Sequence, residues 1–290
     1  ELNSIIYSNQ KLLYDALYHA ASATLNELSK DAKYLGADIG YICILHTWGS
    51  AMNYHPHIHT IVLGGGLDDE NKWKETGGNF FLPYGVISKV FRGKYLDELK
   101  SLWNDSKLKF HGTAEKYQNS YRFKELIDKC YEKNWVTYCK ETFNGAQSVI
   151  NYLGKYTHRI AISNQRITSM TDTTVTYAVK DYKNEGCWKE KTISGEEFIR
   201  RFMMHVPPKR FVRIRHYGLL SCRNKRKKIT LCRNLLGCKK YISTLKNLNA
   251  VEMIKVLYHI DVCKCSSCGG NMVSPRKDKY SSSFHAHMRC

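Results

Sequence analysis

His57 and His59, within Tyr54-His-Pro-His-Ile-His-Thr-Ile-Val62, are the residues whose type and spacing most directly suggest chemistry. The β-branched residues that follow them make this stretch a strand over His57–Leu63, closed by the triple glycine 64–66. Side chains alternate along a strand, so His57 and His59 share one face and Ile58 takes the other. Two imidazoles so placed can share one metal ion. A third ligand can come from a neighbouring strand. His46 lies eleven residues before His57 in the β-rich run 39–48, which would pair antiparallel through the connection 49–56. His55 has the same parity as His57 and His59, but beside Pro56 at the strand mouth it is the weaker third ligand. Purely structural, hydrogen-bonded histidines are the competing explanation.

A second set of residues suits phosphate chemistry. Asn151-Tyr-Leu-Gly-Lys-Tyr-Thr-His-Arg159 puts Tyr152 and Tyr156 four apart on a helix expected over 147–158, so they share a face. Lys155 and Arg159 flank them and can hold a phosphate. A tyrosine hydroxyl is a weak nucleophile at its ordinary pKa near 10. It becomes competent when a metal polarises the phosphate and stabilises the attacking and leaving oxygens. Such a pair is also common in packed cores, since the chain has 20 tyrosines; its weight comes from the histidines and from the charge distribution.

The elements that must position these groups read as α+β, built on an antiparallel sheet. Leu13, Leu17, Ala20, Ala21, Thr24, Leu25 and Leu28 fall at helical spacing over 9–29, and further helices are expected over 85–103 and 121–133. Residues 135–140 have strand composition, and 166–193 read as a β-meander rich in Thr, Val and Tyr. Ser194-Gly-Glu-Glu197 is a capping-box start for a helix that stops before Pro207-Pro208. Three regions result: a core over 1–165, the meander and a basic region over 166–260, and a Cys/His-containing tail over 261–290.

Charge identifies the partner. The 290 residues carry 45 Lys+Arg against 26 Asp+Glu, a formal charge of +19. From Phe198 to Val251 there are 15 basic residues and no acid, so most of the excess sits in under a fifth of the chain. Arg213, Arg215, Arg223, Lys225, Arg226, Lys227 and Lys228, with Phe211, His216 and Tyr217 interleaved, suit a surface that pairs phosphates and stacks bases. No run of 18 apolar residues exists, which argues against a membrane-spanning helix. Eleven scattered cysteines fit reduced thiols with one metal site better than a disulfide framework. Cys265-Ser-Ser-Cys268-Gly-Gly270 is half of a zinc knuckle, for which Cys263 or the cluster His285, His287 and Cys290 can complete the tetrahedron. Cys222, Cys232 and Cys238 read as small buried residues. The opening Glu1-Leu-Asn-Ser4 has neither an initiator Met nor a signal peptide, as expected of a piece of an intracellular protein.

Several stretches together resemble the HUH-endonuclease transposases of the insertion-sequence ninety-one type, the two-tyrosine rolling-circle transposases. They are Leu45-His-Thr-Trp-Gly49, His55-Pro-His-Ile-His59 with Gly64-Gly-Gly66, Tyr152-Leu-Gly-Lys-Tyr-Thr-His-Arg-Ile-Ala-Ile-Ser163, Ser194-Gly-Glu-Glu-Phe-Ile-Arg-Arg-Phe202 and Val212-Arg-Ile-Arg-His-Tyr-Gly218. The resemblance implies a ferredoxin-like, RRM-like HUH core. It implies Mg²⁺- or Mn²⁺-dependent cleavage of single-stranded DNA at element ends and target site, through 5′-phosphotyrosine links on Tyr152 and Tyr156. No nucleotide cofactor is implied, because the tyrosine ester keeps the energy of the broken bond. His57 and His59 map onto the HUH pair. The resemblance also implies a nucleoid-associated protein of the bacterial cytoplasm, and a chain that starts after an N-terminal zinc segment and the first sheet strand. Where the family pattern would have Lys-Pro-Pro-Phe, this chain has Lys140-Glu-Thr-Phe143. Histidine-triad nucleotide hydrolases share a similar His-x-His-x-His, but they are small and use no metal. A rolling-circle replication initiator or a relaxase shares the implied chemistry, and a non-catalytic DNA-binding protein is the alternative of another class.

Overall fold

Apolar residues at helical spacing open the chain as a short helix, α1 (Leu2–Ser8), and a long one, α2 (Gln10–Lys30), which lead into the sheet that carries the histidines. The computed structural model describes residues 2–77, 82–139, 146–157, 161–181, 186–238, 245 and 247–272, with backbone alone at 146, 147 and 155–157. α2 buries Leu13, Tyr14, Leu17, Tyr18, Leu25 and Leu28 along one side. Each such leucine contributes about 1.5–3 kcal/mol relative to exposure. β1 (Asp38–Trp48) and β2 (Tyr54–Leu67) follow as an antiparallel pair, and β3 (Trp73–Glu75) adds to the far edge of β2. Next come α3 (Tyr84–Asn104), a 3₁₀ turn at Gly112–Gln118, α4 (Ser120–Glu132) and α5 (Ala146–Thr157), the tyrosine helix.

A second antiparallel sheet follows, with order β4 (Ile167–Met170), β5 (Thr174–Asp181) and β6 (Cys187–Ser194). α6 (Gly195–Met203) starts where Ser194 Oγ accepts the Glu197 N–H at 3.2 Å, and it ends before the Pro207-Pro208 pair. β7 (Ile214–Gly218) then returns to the first sheet and pairs antiparallel with β1, giving the order β3-β2-β1-β7. α7 (Lys225–Leu235) completes a compact unit ending at Gly237. A second unit starts at Cys238 and contains α8 (Ala250–Tyr258), whose capping box joins Asn249 and Glu252. The fold is α+β with antiparallel sheets, compatible with an HUH-type core. Among the described residues, no helix is long and apolar enough to cross a membrane.

The central sheet divides its residues by parity. Ile39, Tyr41, Cys43 and Leu45 of β1 join the main core with the residues of α1 to α4, and Ile58 and Val62 of β2 pack there too. The register sets Leu45 against Ile58 and His46 against His57, so the histidines occupy the opposite face. The buried face of the second sheet, through Tyr177 and Val179, forms a smaller core with Met52 and Ala161.

Three expectations need correction. β2 does not close at the triple glycine: Gly65 and Gly66 pair with Glu75 and Lys74, and a Cβ at Gly66 would lie 2.4 Å from the Asp38 carbonyl oxygen. Gly65 and Gly66 are glycine because a neighbouring backbone comes close, not because the chain turns. Residues 135–139 form no strand, and residue 140 lies outside the described residues. Trp135 instead packs against Phe91 and Tyr95 and donates its indole N–H to the Cys130 carbonyl at 3.0 Å, ending α4. Val136 and Tyr138 stand exposed, with no sheet edge to join. Of the three cysteines expected to be buried, Cys232 is, whereas Cys222 and Cys238 are exposed.

Candidate metal centre and the tyrosine beside it

His46 and His57 face each other directly across the β1–β2 ladder, and His59 follows one step along, opposite Ile44. Each of the three offers a ring nitrogen, and the three atoms lie within 4.8 Å of one another. The Nε2 atoms of His57 and His59 are 3.0 Å apart. Imidazole binds divalent ions at about 2.0–2.1 Å, so two nitrogens at this separation can address a single ion. Among the described residues this is the one group of three or more ligand-type side chains so gathered.

The surroundings fix the rings for that role. His57 Nδ1–H donates to the His55 carbonyl at 2.7 Å, which leaves Nε2 with its lone pair. Burial pushes the His57 imidazole below its ordinary pKa. Burial, with the nearby His57 adding to it, lowers His59 to about 4. Both rings are therefore neutral at pH 7, the form a cation needs. His46 is buried and stacks on Trp48, centroids 4.6 Å apart and planes 16° from parallel. The donor set of three imidazoles suits a divalent transition ion.

Tyr152 of α5 reaches this site, its Oη 2.9 Å from Nδ1 of His59. Tyr156 lies one helical turn on in the same helix, with Lys155 beside it, but both side chains are outside the described atoms. Arg159 is outside the described residues, as are His285, His287 and Cys290.

The basic residues divide into two groups. Arg215 is ion-paired with Asp15 of α2 and lies 4.0 Å from the Tyr18 ring centroid, which fastens β7 to the helical layer. Arg213 places its guanidinium 5.6 Å from the Trp48 ring centroid, next to the histidine site. Arg223, Lys225, Arg226 and Lys227 are exposed at the start of α7, and Lys228 is half-buried. In the second unit, Cys265 accepts the Gly269 N–H and donates its own N–H to Gly270, both at 2.9 Å, while Lys264 bridges Asn271. This tight turn presents Cys268 exposed and Cys265 half-buried.

The packing role of Trp48 and the whole contribution of His205 escaped the sequence reading. Trp48 carries packing for both His46 and Arg213. His205 is a buried residue bonded to Thr47 and to the Met52 carbonyl. Trp48 ends the β1 run on the same side as His46, but its stacking cannot be read from that pattern, and the one clue to His205 is a polar residue set among Met203, Met204 and Val206.

Comparison with known proteins places the chain in a family. The model of the family described as "Putative transposase" matches residues 40–228, a span that holds all three histidines, α5 and β7. A "Putative transposase y4qJ" of Sinorhizobium fredii is 39% identical over 235 residues, 81% of this chain and 59% of that protein. The "Transposase for insertion sequence element IS801" of Pseudomonas savastanoi pv. phaseolicola is 27% identical over 278 residues, 92% of this chain and 63% of that protein. The chain thus spans about three-fifths of the length of these curated relatives. No solved structure matches. With the histidine strands and the tyrosine helix inside a match that takes in well over half of its residues, the chain belongs to this transposase family.

Proposed function

We propose that this chain cleaves and rejoins single-stranded DNA by transesterification onto tyrosine, as a rolling-circle transposase. The observation that carries the reading is the Tyr152 hydroxyl at 2.9 Å from His59, a ring whose Nε2 lies 3.0 Å from that of His57. A nucleophile-type side chain and a cation-type site thus share one wall of the central sheet.

His57, His59 and His46 would hold one Mg²⁺ or Mn²⁺. Such an ion, when bound, supplies charge to the phosphate oxygens and makes the phosphorus more electrophilic. With Nε2 of His59 turned toward the ion position, its Nδ1–H donates to Tyr152 Oη and orients the hydroxyl. A tyrosine oxygen attacks phosphorus, its proton leaves to solvent, and the P–O bond to the 3′-oxygen breaks. That oxygen takes up a proton and becomes a free 3′-hydroxyl, while the 5′-phosphate stays on tyrosine. Rejoining is the reverse step with another 3′-hydroxyl, so no nucleotide cofactor is needed. Tyr152 and Tyr156 are the two proposed nucleophiles, which permits two strands to be held at once.

Lys155 and Arg159 are the proposed phosphate contacts beside the tyrosines. Arg213, Arg223, Lys225, Arg226, Lys227 and Lys228 extend that contact along the strand, with Arg215 contributing through its position on β7. The Cys265–Cys268 turn is proposed as half of a structural zinc site. Replication initiators and relaxases would use the same chemistry, and similarity to an insertion-sequence transposase favours the transposase reading.

The test is a denaturing gel with 3′-labelled single-stranded DNA carrying an element end, run with Mn²⁺ or EDTA. A metal-dependent covalent band should form, persist in one or both of Tyr152→Phe and Tyr156→Phe, and vanish in the double variant. A band that survives in the double variant refutes the tyrosine mechanism. DNA binding without any adduct would leave a binding protein.

A further inference from the structure

The connection between β1 and β2 is only five residues, Gly49–Asn53, and it is held from outside. Its two ends bond each other, Gly49 N–H to Asn53 O at 3.1 Å, and Met52 N–H closes a turn onto Gly49 O at 3.0 Å. Met52 adopts φ +53° and its side chain is fully buried. The three carbonyls between the ends are each taken by side chains from residues 166–205. Arg166 donates to Ser50 O, and the same guanidinium reaches Ala178 O. The Tyr177 hydroxyl at 3.3 Å and Arg201 at 3.1 Å both donate to Ala51 O. His205 Nε2–H donates to Met52 O at 3.2 Å, and its Nδ1 accepts from Thr47 Oγ1 at the same distance. The Lys180 N–H adds a bond to Ser50 Oγ at 2.6 Å.

A surface connection ordinarily satisfies its carbonyls with water. Here the second sheet, α6 and the segments flanking them supply the donors (Tyr177 from β5, Arg201 from α6, Arg166 just before β4 and His205 just after α6), and the location of the connection gives the reason. His46–His57 is the final regular pair of the ladder before the register shifts between His46 and Trp48. Two of the three histidines therefore stand where a two-stranded ladder would otherwise fray. Trp48 adds a second link, stacked on His46 and meeting the His205 ring edge-on at 6.1 Å.

We infer that the second sheet with α6 is the positioning body of the histidine site: Arg166, Tyr177, Arg201 and His205 clamp the carbonyls of residues 50–52 and so hold His46 against His57. They are positioning residues, acting through the backbone of the connection and not as ligands. The inference rests on the metal reading of His46, His57 and His59.

The test removes both donors to Ala51 O with Tyr177→Phe, which keeps the buried ring, and Arg201→Gln, singly and together. Mn²⁺ affinity is followed by the electron paramagnetic resonance of the free ion. Hydrogen–deuterium exchange of residues 46–58 and a urea transition are measured on the same samples. The folded double variant should bind Mn²⁺ about tenfold or more weakly, the usual range for losing groups that orient ligands. Its amides at 46–58 should exchange faster, and Arg201→Lys should recover part of the affinity. A folded double variant with wild-type Mn²⁺ affinity overturns the inference while leaving the metal reading intact. If the double variant does not fold, Tyr177→Phe decides, and unchanged affinity and exchange there overturn it. A wild-type protein that binds no Mn²⁺ rejects the metal reading and this inference with it.

Discussion

Acid should destabilise the metal-free protein through His59 before it affects most of the fold. Burial, together with His57, lowers this imidazole from 6.5 to about 4. Between those values the unfolded chain holds a proton at this position that the folded protein does not. Stability is therefore greatest above the ordinary value of 6.5, falls as the pH drops from there, and levels off once about 4 is passed and both states are protonated. At about 1.4 kcal/mol per pH unit, His59 alone gives about 3 kcal/mol, reduced to about 2 kcal/mol because the ring is only partly shielded from water. His57 and His205, also lowered by burial, act in the same direction. The assay is a series of urea transitions in EDTA from about pH 7.5 to about pH 4.5, comparing wild type with His59→Asn. The wild type should lose about 2 kcal/mol more than the variant over that range. Parallel profiles would refute the argument that His59 is buried as a neutral base. Mn²⁺ at a hundredfold excess over its Kd should add about 2.7 kcal/mol at the upper end and little at the lower, since it needs the same neutral rings.

Two further outcomes test the frame and the DNA-binding surface. Gly218→Ala should destabilise the protein by about 2 kcal/mol or more, because residue 218 has φ +55° and the new Cβ would lie 1.8 Å from the Ile39 carbonyl oxygen; an unchanged urea midpoint would mean that β7 does not dock there. Replacing Lys225, Arg226 and Lys227 with Gln should lower the log–log salt slope of single-stranded DNA binding by up to about 2, at about 0.7 per phosphate contact, and an unchanged slope would place the strand elsewhere.

What the sequence revealed depended on how local each signal was. α2, β1 and the face shared by His57 and His59 were legible because their periodicities of 3.6 and 2 are written over neighbouring residues. The Ser194 cap was legible for the same reason. Non-local events were not. Nothing in Ile214–Gly218 says that it pairs with residues of β1 about 170 positions earlier in the chain. Gly64-Gly-Gly66 has the composition of a turn, and the close approach of the β3 backbone to Gly65 and of the β1 backbone to Gly66 becomes visible only once the strands are assembled. Trp135–Cys139 has strand composition but no partner edge, so packing and a helix-ending bond decide its form. The clamp on residues 50–52 was the least accessible feature, because its acceptors are backbone carbonyls that every residue carries. The tyrosines were legible as a pair on one helix face, but the approach of Tyr152 to His59 across 93 residues of chain was not.

The parity of the central sheet makes the histidine site a reporter of correct strand alignment. Along β1 and β2, one set of side chains fills the helical core and the alternate set carries the three candidate ligand histidines. A slip of one residue between the strands would turn His57 and His59 into that core and send Ile58 and Val62 out to the other face. No partly functional register lies between these two arrangements. A single inserted or deleted residue within β2 is therefore a harsher change than most substitutions, because it exchanges the buried set for the ligand set at one stroke. The gathering of the three histidines and burial of the core succeed or fail together, so if the site holds an ion, uptake of that ion reports that the strands are paired correctly.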